Sequence, residues 1–292
     1  HRGVLVWSSE LKAMLALTGF EARVDPLSVE EFVNIGWLLN NRTWLEGVEL
    51  LPAATVHTWD IRGRSHSSQR YWWWDQVAPL ASRVDEGEIA EEMGRLLKSA
   101  VERRCRPGER VGLTLSGGLD SRALLAAMPT HDNALHAVTM GKKGCDDILI
   151  SAMAAKAKGA EHHVVDINRH NWLTSRPEAV WWTDGRKDLM HMAIVAAYQA
   201  GQGLFDIVLD GAGGGLLKGD DLYNEGDPVQ FLCNKFACRI KLDTGLAERI
   251  RDYYATLGSN YALYVDSRMR SFTMSGPKIA LNFHMEYRIP LM

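Results

Sequence analysis

Apolar positions in the middle of the chain alternate between two periods, and each change of period marks an element. From Glu86 the spacing of Ile89, Met93, Leu96, Leu97, Ala100 and Val101 fits one face of an α-helix, which Arg106-Pro107-Gly108 ends. Next comes a short apolar strand, Val111-Gly112-Leu113-Thr114-Leu115, running straight into Ser116-Gly117-Gly118-Leu119-Asp120-Ser121 and an Ala/Leu-rich helix from Arg122 to Met128. The alternation continues with strand Leu135 to Met140, helix Asp147 to Lys158, strand His162 to Ile167, helix Met190 to Ala200 and strand Asp206 to Leu209. Strands alternating with helices of this length predict βαβ units, an α/β fold with a mainly parallel sheet, and right-handed crossovers.

The N-terminal stretch reads differently. Val4-Leu5-Val6-Trp7 reads as a strand, Ser9 to Leu15 as the opening of a helix, and Val48 to Pro52 and Thr55 to Trp59 as strands around a Pro-Ala-Ala turn. This is the pattern of the last part of an α+β domain. Arg62 to Gln69 is polar and aperiodic, so it reads as a connector leading to Tyr71-Trp72-Trp73-Trp74-Asp75 and Pro79. A domain boundary is expected near residues 75 to 85, giving domains at 1–78 and 79–292, with the tryptophans as an interdomain wedge rather than a stacking platform. Beyond Gly219 the pattern is helical without clear limits, and residues 225 to 280 are left without specific elements.

Composition narrows the class. At about 150 residues per domain, 292 residues suggest two domains. Hydrophobic residues at 46% and charged residues at 24% exclude disorder, a collagen-like repeat and a disulfide scaffold. Lys+Arg 33 against Asp+Glu 36 leaves a net charge of -3, with no basic excess for nucleic acid or anionic lipid. The four cysteines, Cys105, Cys145, Cys233 and Cys238, fall singly, without zinc-ligand or disulfide spacing, which favours a reducing, cytoplasmic setting. No apolar run approaches the ~18 residues of a membrane span, and the apolar stretch after His1-Arg2-Gly3 is too short for a signal peptide. A start without Met, inside an apparent strand, fits a piece of a longer chain.

The chemistry concentrates in the turn after the first strand of the α/β part. A doubly wound sheet holds its ligand beyond the carboxyl ends of the strands, where a helix N-terminus presents unpaired N–H groups and positive dipole charge. Ser116-Gly117-Gly118-Leu119-Asp120-Ser121 sits there. Its glycines admit the backbone close to an anion, Ser116 and Ser121 add hydroxyl donors, and Asp120 can hold a Mg²⁺ that bridges phosphate oxygens. It is a phosphate loop without the lysine of a Walker A sequence.

The motif S-G-G-x-D-S resembles the pyrophosphate loop of the N-type ATP pyrophosphatases, and the flanking sequence resembles the asparagine synthetase family, including its β-lactam synthetase and lasso-peptide cyclase relatives. Ser8 to Leu15 is similar to the S-E-x-K-A-L stretch of that family's glutaminase domain, and Gly47 to Ala53 to its later strand and turn. Asp147, Ser151, Ala155, Gly159, His162 and His163 keep the family's D-x3-A-x3-A-x3-G-x2-H-H register, with Ser for the first Ala. Glu286 to Met292 resembles its E-x-R-x-P-F-L.

The resemblance implies an ATP-pyrophosphatase (adenine nucleotide alpha hydrolase-like) domain preceded by part of an α+β glutaminase-like domain. It implies a ligase that activates a carboxylate as an acyl-adenylate, releasing pyrophosphate, for attack by ammonia or an amine. Intramolecular cyclisation and a catalytically reduced nucleotide-binding protein stay open as alternatives. Ser116, Gly117, Gly118, Asp120 and Ser121 would bind ATP phosphates and Mg²⁺, with Asp120 on the metal and Asp120 and Ser121 as catalytic residues. The backbone from Val138 to Gly141 would receive adenine, and Asp210, Gly211 and Gly213 would form a second loop near the α-phosphate. The expected partners are a small-molecule or peptide carboxylate, an amine acceptor, and a homodimer mate or a peptide-delivery protein. His162 and His163 read as structural, and Glu286 with Arg288 as a buried ion pair.

Three departures from the family pattern stand out. The second loop usually reads G-E-G-x-D-E, whereas Gly215 and Leu216 stand here where the acids belong; Asp210 is the nearest substitute oxygen, and Asp220 and Asp221 lie further on. No cysteine precedes Cys105, so these residues hold no glutaminase nucleophile of the family's N-terminal type. The lysine expected after the E-x-R-x-P segment would lie past Met292.

Overall fold

The computed structural model describes residues 4–77, 85–130, 134–214, 226–236, 240–241, 244–270 and 274–291. Several residues named above, among them Pro79, Gly215, Leu216, Asp220, Asp221, Cys238 and Met292, lie outside the described residues. The chain forms two compact units, His1–Ala81 with Gly219–Ser267, and Ser82–Lys218 with Arg268–Met292. Residues 219–267 thus group with the N-terminal stretch, whereas the expected division put them with the rest of 79–292.

In chain order the first elements are α1 (Pro26–Ile35), β1 (Thr55–Asp60), β2 (Ser65–Arg70), α2 (Glu86–Glu102), β3 (Val111–Thr114), α3 (Leu119–Ala127), β4 (His136–Gly141), α4 (Asp146–Lys158) and β5 (Glu161–Asp166). There follow α5 (Arg176–Trp182), α6 (Ile194–Gly201), β6 (Ile207–Leu209), α7 (Pro228–Phe236), α8 (Gly245–Leu257), α9 (Asn260–Arg268), α10 (Gly276–Asn282) and β7 (Glu286–Arg288).

In the first unit, α1 starts where Asp25 accepts from the Leu27 N–H at 3.0 Å and Pro26 fixes the first turn, and it stops at Gly36 in the left-handed region. Its buried Glu31 accepts from Arg42 at 3.2 Å, from Arg249 of α8 at 3.2 Å and from the Leu39 N–H at 2.9 Å. Trp73 donates its indole N–H to the Thr256 carbonyl at 2.8 Å, and Trp74 meets Tyr261 edge to face. These ties explain why residues 219–267 join this unit, and they give the tryptophans partners inside it.

Several N-terminal expectations are corrected. Val4 to Trp7 and Val48 to Pro52 form no strand; the latter contributes only an isolated bridge, Arg42 to Glu49. The Ser9 to Leu15 segment yields a 3-10 turn, Leu11–Ala16. The supposed connector contains β2, which pairs antiparallel with β1 from Thr55↔Arg70 to Asp60↔Ser65. All of β2 is exposed, so nothing selects apolar residues on either side of it and the alternation that marks a strand is missing.

The second unit is an α/β sandwich on a five-stranded sheet, ordered β5-β4-β3-β6-β7, with every pair parallel. Alternation along the strands sends Leu113, Leu115, Ala137, Ile207 and Leu209 to one face, against Val101, Leu124, Leu125 and Ala155 of α2, α3 and α4. Val138 and Val208 go to the other, against Ala179, Val195, Tyr198 and Ile279 of α5, α6 and α10.

The predicted β/α alternation therefore stands, with local differences. Helix α2 ends at Glu102, before Arg106-Pro107-Gly108, and Met93 and Leu96 on its expected apolar face are exposed. The Met190 to Ala200 helix divides into a 3-10 turn, Leu189–Met192, and α6. Strand β7 was not expected: its three residues are too few to show a period. Among the described residues no helix is long and apolar enough to cross a membrane.

Candidate functional site

The strand order itself builds the site. From β3 the chain moves outward to β4 and β5, then returns to the other side of β3 with β6. The loops that follow β3 and β6 therefore emerge side by side where the order reverses, the place at which such sheets bind ligands.

The first loop is held by its own serines. The Ser116 N–H donates to Ser121 Oγ at 3.2 Å, the two hydroxyls lie 3.1 Å apart, and the Ser121 hydroxyl reaches the Gly118 carbonyl at 3.3 Å. Ser121 is buried, so it braces the loop from beneath, while Ser116 is exposed. Gly117 has φ +74°, and a Cβ there would lie 3.0 Å from the Asp147 carbonyl oxygen of α4. Gly118 is the N-cap of α3 and has no side chain to cap it; its own N–H reaches Ser116 Oγ at 3.4 Å.

The second loop closes on the first. A Cβ at Gly211 would lie 3.4 Å from the Ser121 nitrogen and 3.5 Å from Asp120 Cβ, and a Cβ at Gly214 would overlap the Asp120 carboxylate. Asp120, half-buried on the first turn of α3, thus points its carboxylate against Gly214, where a side chain would collide with it. Gly213, at φ +99°, turns the chain back toward it.

Asp210, at the start of the second loop, is held by donors of its own. It accepts from the Ala212 N–H at 2.8 Å and from the Tyr198 hydroxyl at 3.4 Å, with Tyr287 as a third donor. Burial raises its carboxyl above the usual range against the pull of those donors, and burial beside Asp210 raises both tyrosines. Its carboxylate anchors the base of the loop.

The adenine expectation divides in the same way. Val138 is buried in the core, and its carbonyl accepts from the Leu115 N–H at 2.9 Å, whereas Gly141 sits half-buried at the carboxyl end of β4.

Two residues that sequence reasoning missed secure the strand end before the first loop. Thr139 Oγ1 and Ser151 Oγ both donate to the Leu115 carbonyl, at 2.7 and 3.1 Å. With the Thr139 proton used there, His162 Nε2, 2.8 Å away, is the donor to Thr139, and burial lowers the His162 pKa. The serine that departs from the D-x3-A register was the visible signal for this bracket. Arg288 pairs with both Glu109, at 2.8 Å, and Glu286, at 2.8 Å, but Glu286 is 60% exposed, so the expected buried pair is instead an exposed one, with a half-buried Arg288 shared between Glu286 and the half-buried Glu109. Lys187 is a further buried cation, and burial, with Arg268 nearby, brings it down to about 7.

Several known proteins are similar to this chain. Among curated relatives, the carboxyethyl-arginine beta-lactam-synthase of Streptomyces clavuligerus is 27% identical, over 61% of this chain and 36% of its own. The glutamine-hydrolysing asparagine synthetase of Gallus gallus is 29% identical, over 37% of this chain and 20% of its own. The chain thus spans well under half the length of the curated relatives it matches. Among solved structures, the NH3-dependent NAD synthetase of Campylobacter jejuni covers 66% of this chain and 97% of its own at 14% identity and a TM-score of 0.32, which is too low to carry an argument. The family profile for asparagine synthase matches residues 92–253, more than half of the chain, and it spans the first loop, the His162-His163 pair and the second loop. The chain belongs to the asparagine synthase family.

Proposed function

We propose that the second unit binds ATP at the paired glycine loops and forms an amide bond by way of an acyl-adenylate. A carboxylate oxygen of the substrate attacks the α-phosphorus and pyrophosphate leaves. The nitrogen of ammonia or an amine then attacks the acyl carbon, AMP leaves, and the nitrogen loses a proton. The observation that carries this reading is the close approach of the two glycine loops, which brings the backbone of Gly211 and Gly214 against Asp120 and the uncapped first turn of α3. Ser116 and the N-terminus of α3 would hold the phosphates, and the fixed Ser121 hydroxyl keeps those donors aimed without reorganisation.

Asp120 fits a Mg²⁺ ion as one carboxylate ligand, and the ion would offset phosphate charge. Gly141, half-buried at the carboxyl end of β4, is the better position for the adenine, since Val138 is buried in the core. Residues 1–78 are read as the later part of a glutaminase-like domain, and the carboxylate and amine remain for a substrate panel to identify.

ATP with Mg²⁺ should raise the unfolding midpoint of the full chain, by about 2.7 kcal/mol in stability at a hundredfold excess over Kd. Asp120→Asn should reduce that gain. A wild-type midpoint unmoved by saturating ATP would overturn the reading. With an accepted carboxylate the products should be AMP and pyrophosphate, and ADP as the main product would contradict it.

A further inference from the structure

At the far end of the same sheet, away from the loops, three side chains converge that the nucleotide reading does not use. His136 opens β4 and Glu161 opens the edge strand β5, and the parallel register sets His136 against Glu161 and Val138 against His163. Alternation puts Glu161 and His163 on one face of β5. His136 Nδ1 lies 3.1 Å from His163 Nε2 and 3.5 Å from Glu161 Oε2. All three candidate ligand atoms lie within 4.8 Å of one another, the one such group among the described residues.

A hydrogen bond between the imidazoles accounts for the first distance, and the strand register brings the carboxylate beside them. Tetrahedral zinc accounts for both: bonds of about 2.0–2.1 Å place neighbouring ligand atoms about 3.3 Å apart. The donor set points the same way, since two imidazoles and a carboxylate suit zinc, whereas Mg²⁺ and Ca²⁺ prefer oxygen. Glu161 is 60% exposed while His136 is 14% exposed, so an ion would have a half-buried anchor and an open side for water. The cation whose charge reaches His136 is Arg110, and Asp206 holds it through both oxygens at 2.9 and 2.6 Å.

We propose that His136, Glu161 and His163 bind a divalent transition-metal ion, with Zn²⁺ as the fitting species, as a clamp between β4 and the edge strand β5. Single cysteines and spaced histidines give no hint of it, because the ligands come from two strands.

The test uses the full chain, stripped with a chelator and dialysed against Zn²⁺ without nucleotide. The wild type should retain one ion per chain and unfold at a higher temperature. Glu161→Gln, a change of charge at an exposed position, should weaken binding about tenfold or more, and His163→Gln should abolish it. His66→Ala removes the other close imidazole pair, His57 with His66 at 3.0 Å, and should leave the stoichiometry unchanged. Absence of bound zinc in the wild type, equal binding in Glu161→Gln and His163→Gln, or loss of the ion in His66→Ala would each overturn the proposal.

Discussion

Gly214 and Asp120 show what a single hydrogen in place of a side chain permits. Gly214→Ala would drive a methyl into the Asp120 carboxylate, which must then swing aside or push the second loop away. The expected outcome is a loss of about 1–3 kcal/mol in urea unfolding, as for other overpacked sites, together with loss of the ATP-dependent rise in midpoint. A variant that keeps the full ATP effect would separate Gly214 from the nucleotide site. At this scale the sequence was informative wherever neighbours in the chain are also neighbours in space. Ser116 to Ser121 could be read because the loop's hydrogen bonds close within five residues. Ser151 could be noticed but not understood, because its partner Leu115 lies 36 positions away. Asp210 was legible as an acid at a strand end, while the tyrosines that turn it toward the core come from α6 and β7.

Elements were legible in proportion to how much of them is buried on one side. Strands β3, β4 and β6 carry buried apolar residues and were found within a residue or two, whereas the fully exposed β2 looked like a loop. What ties one element to another was less visible. The joint of β3, β4 and α4 rests on two hydroxyls that share the Leu115 carbonyl. Ser151→Ala should cost about 1 kcal/mol, because Thr139 still satisfies the carbonyl, and Thr139→Val should cost more, because it also removes the acceptor of His162. The double variant leaves that acceptor without either hydroxyl, so its cost should exceed the sum of the singles. Urea unfolding of all four proteins measures the coupling, and a value below about 0.5 kcal/mol would mean that the hydroxyls act separately.

For the whole molecule, the ion pairs set the response to acid. Hydrogen bonding from Arg288 holds Glu109 down to about 2, far below its unfolded value. A carboxyl lowered in this way contributes stability that is fully present above the unfolded pKa and is lost as pH falls through the folded one. Asp25, Asp206, Asp227 and Glu286 are shifted in the same direction, while the raised Glu31 and Asp210 work against the trend as they take up protons. The unfolding midpoint should therefore drop as pH falls from about 4.5 toward 2, and Glu109→Gln should shallow that drop. An unchanged acid limb in the variant would remove Glu109 from the account. The strand order has a consequence in time as well. The β3–β4 and β4–β5 pairs join neighbours in the sequence, but β3 and β6 pair only after a long loop closes, and Arg110 and Asp206, which bridge their starts, are 96 residues apart. A partly folded chain can own the first glycine loop complete while the second is still elsewhere, so the cradle that the two loops form over Asp120 cannot exist until that long loop has closed.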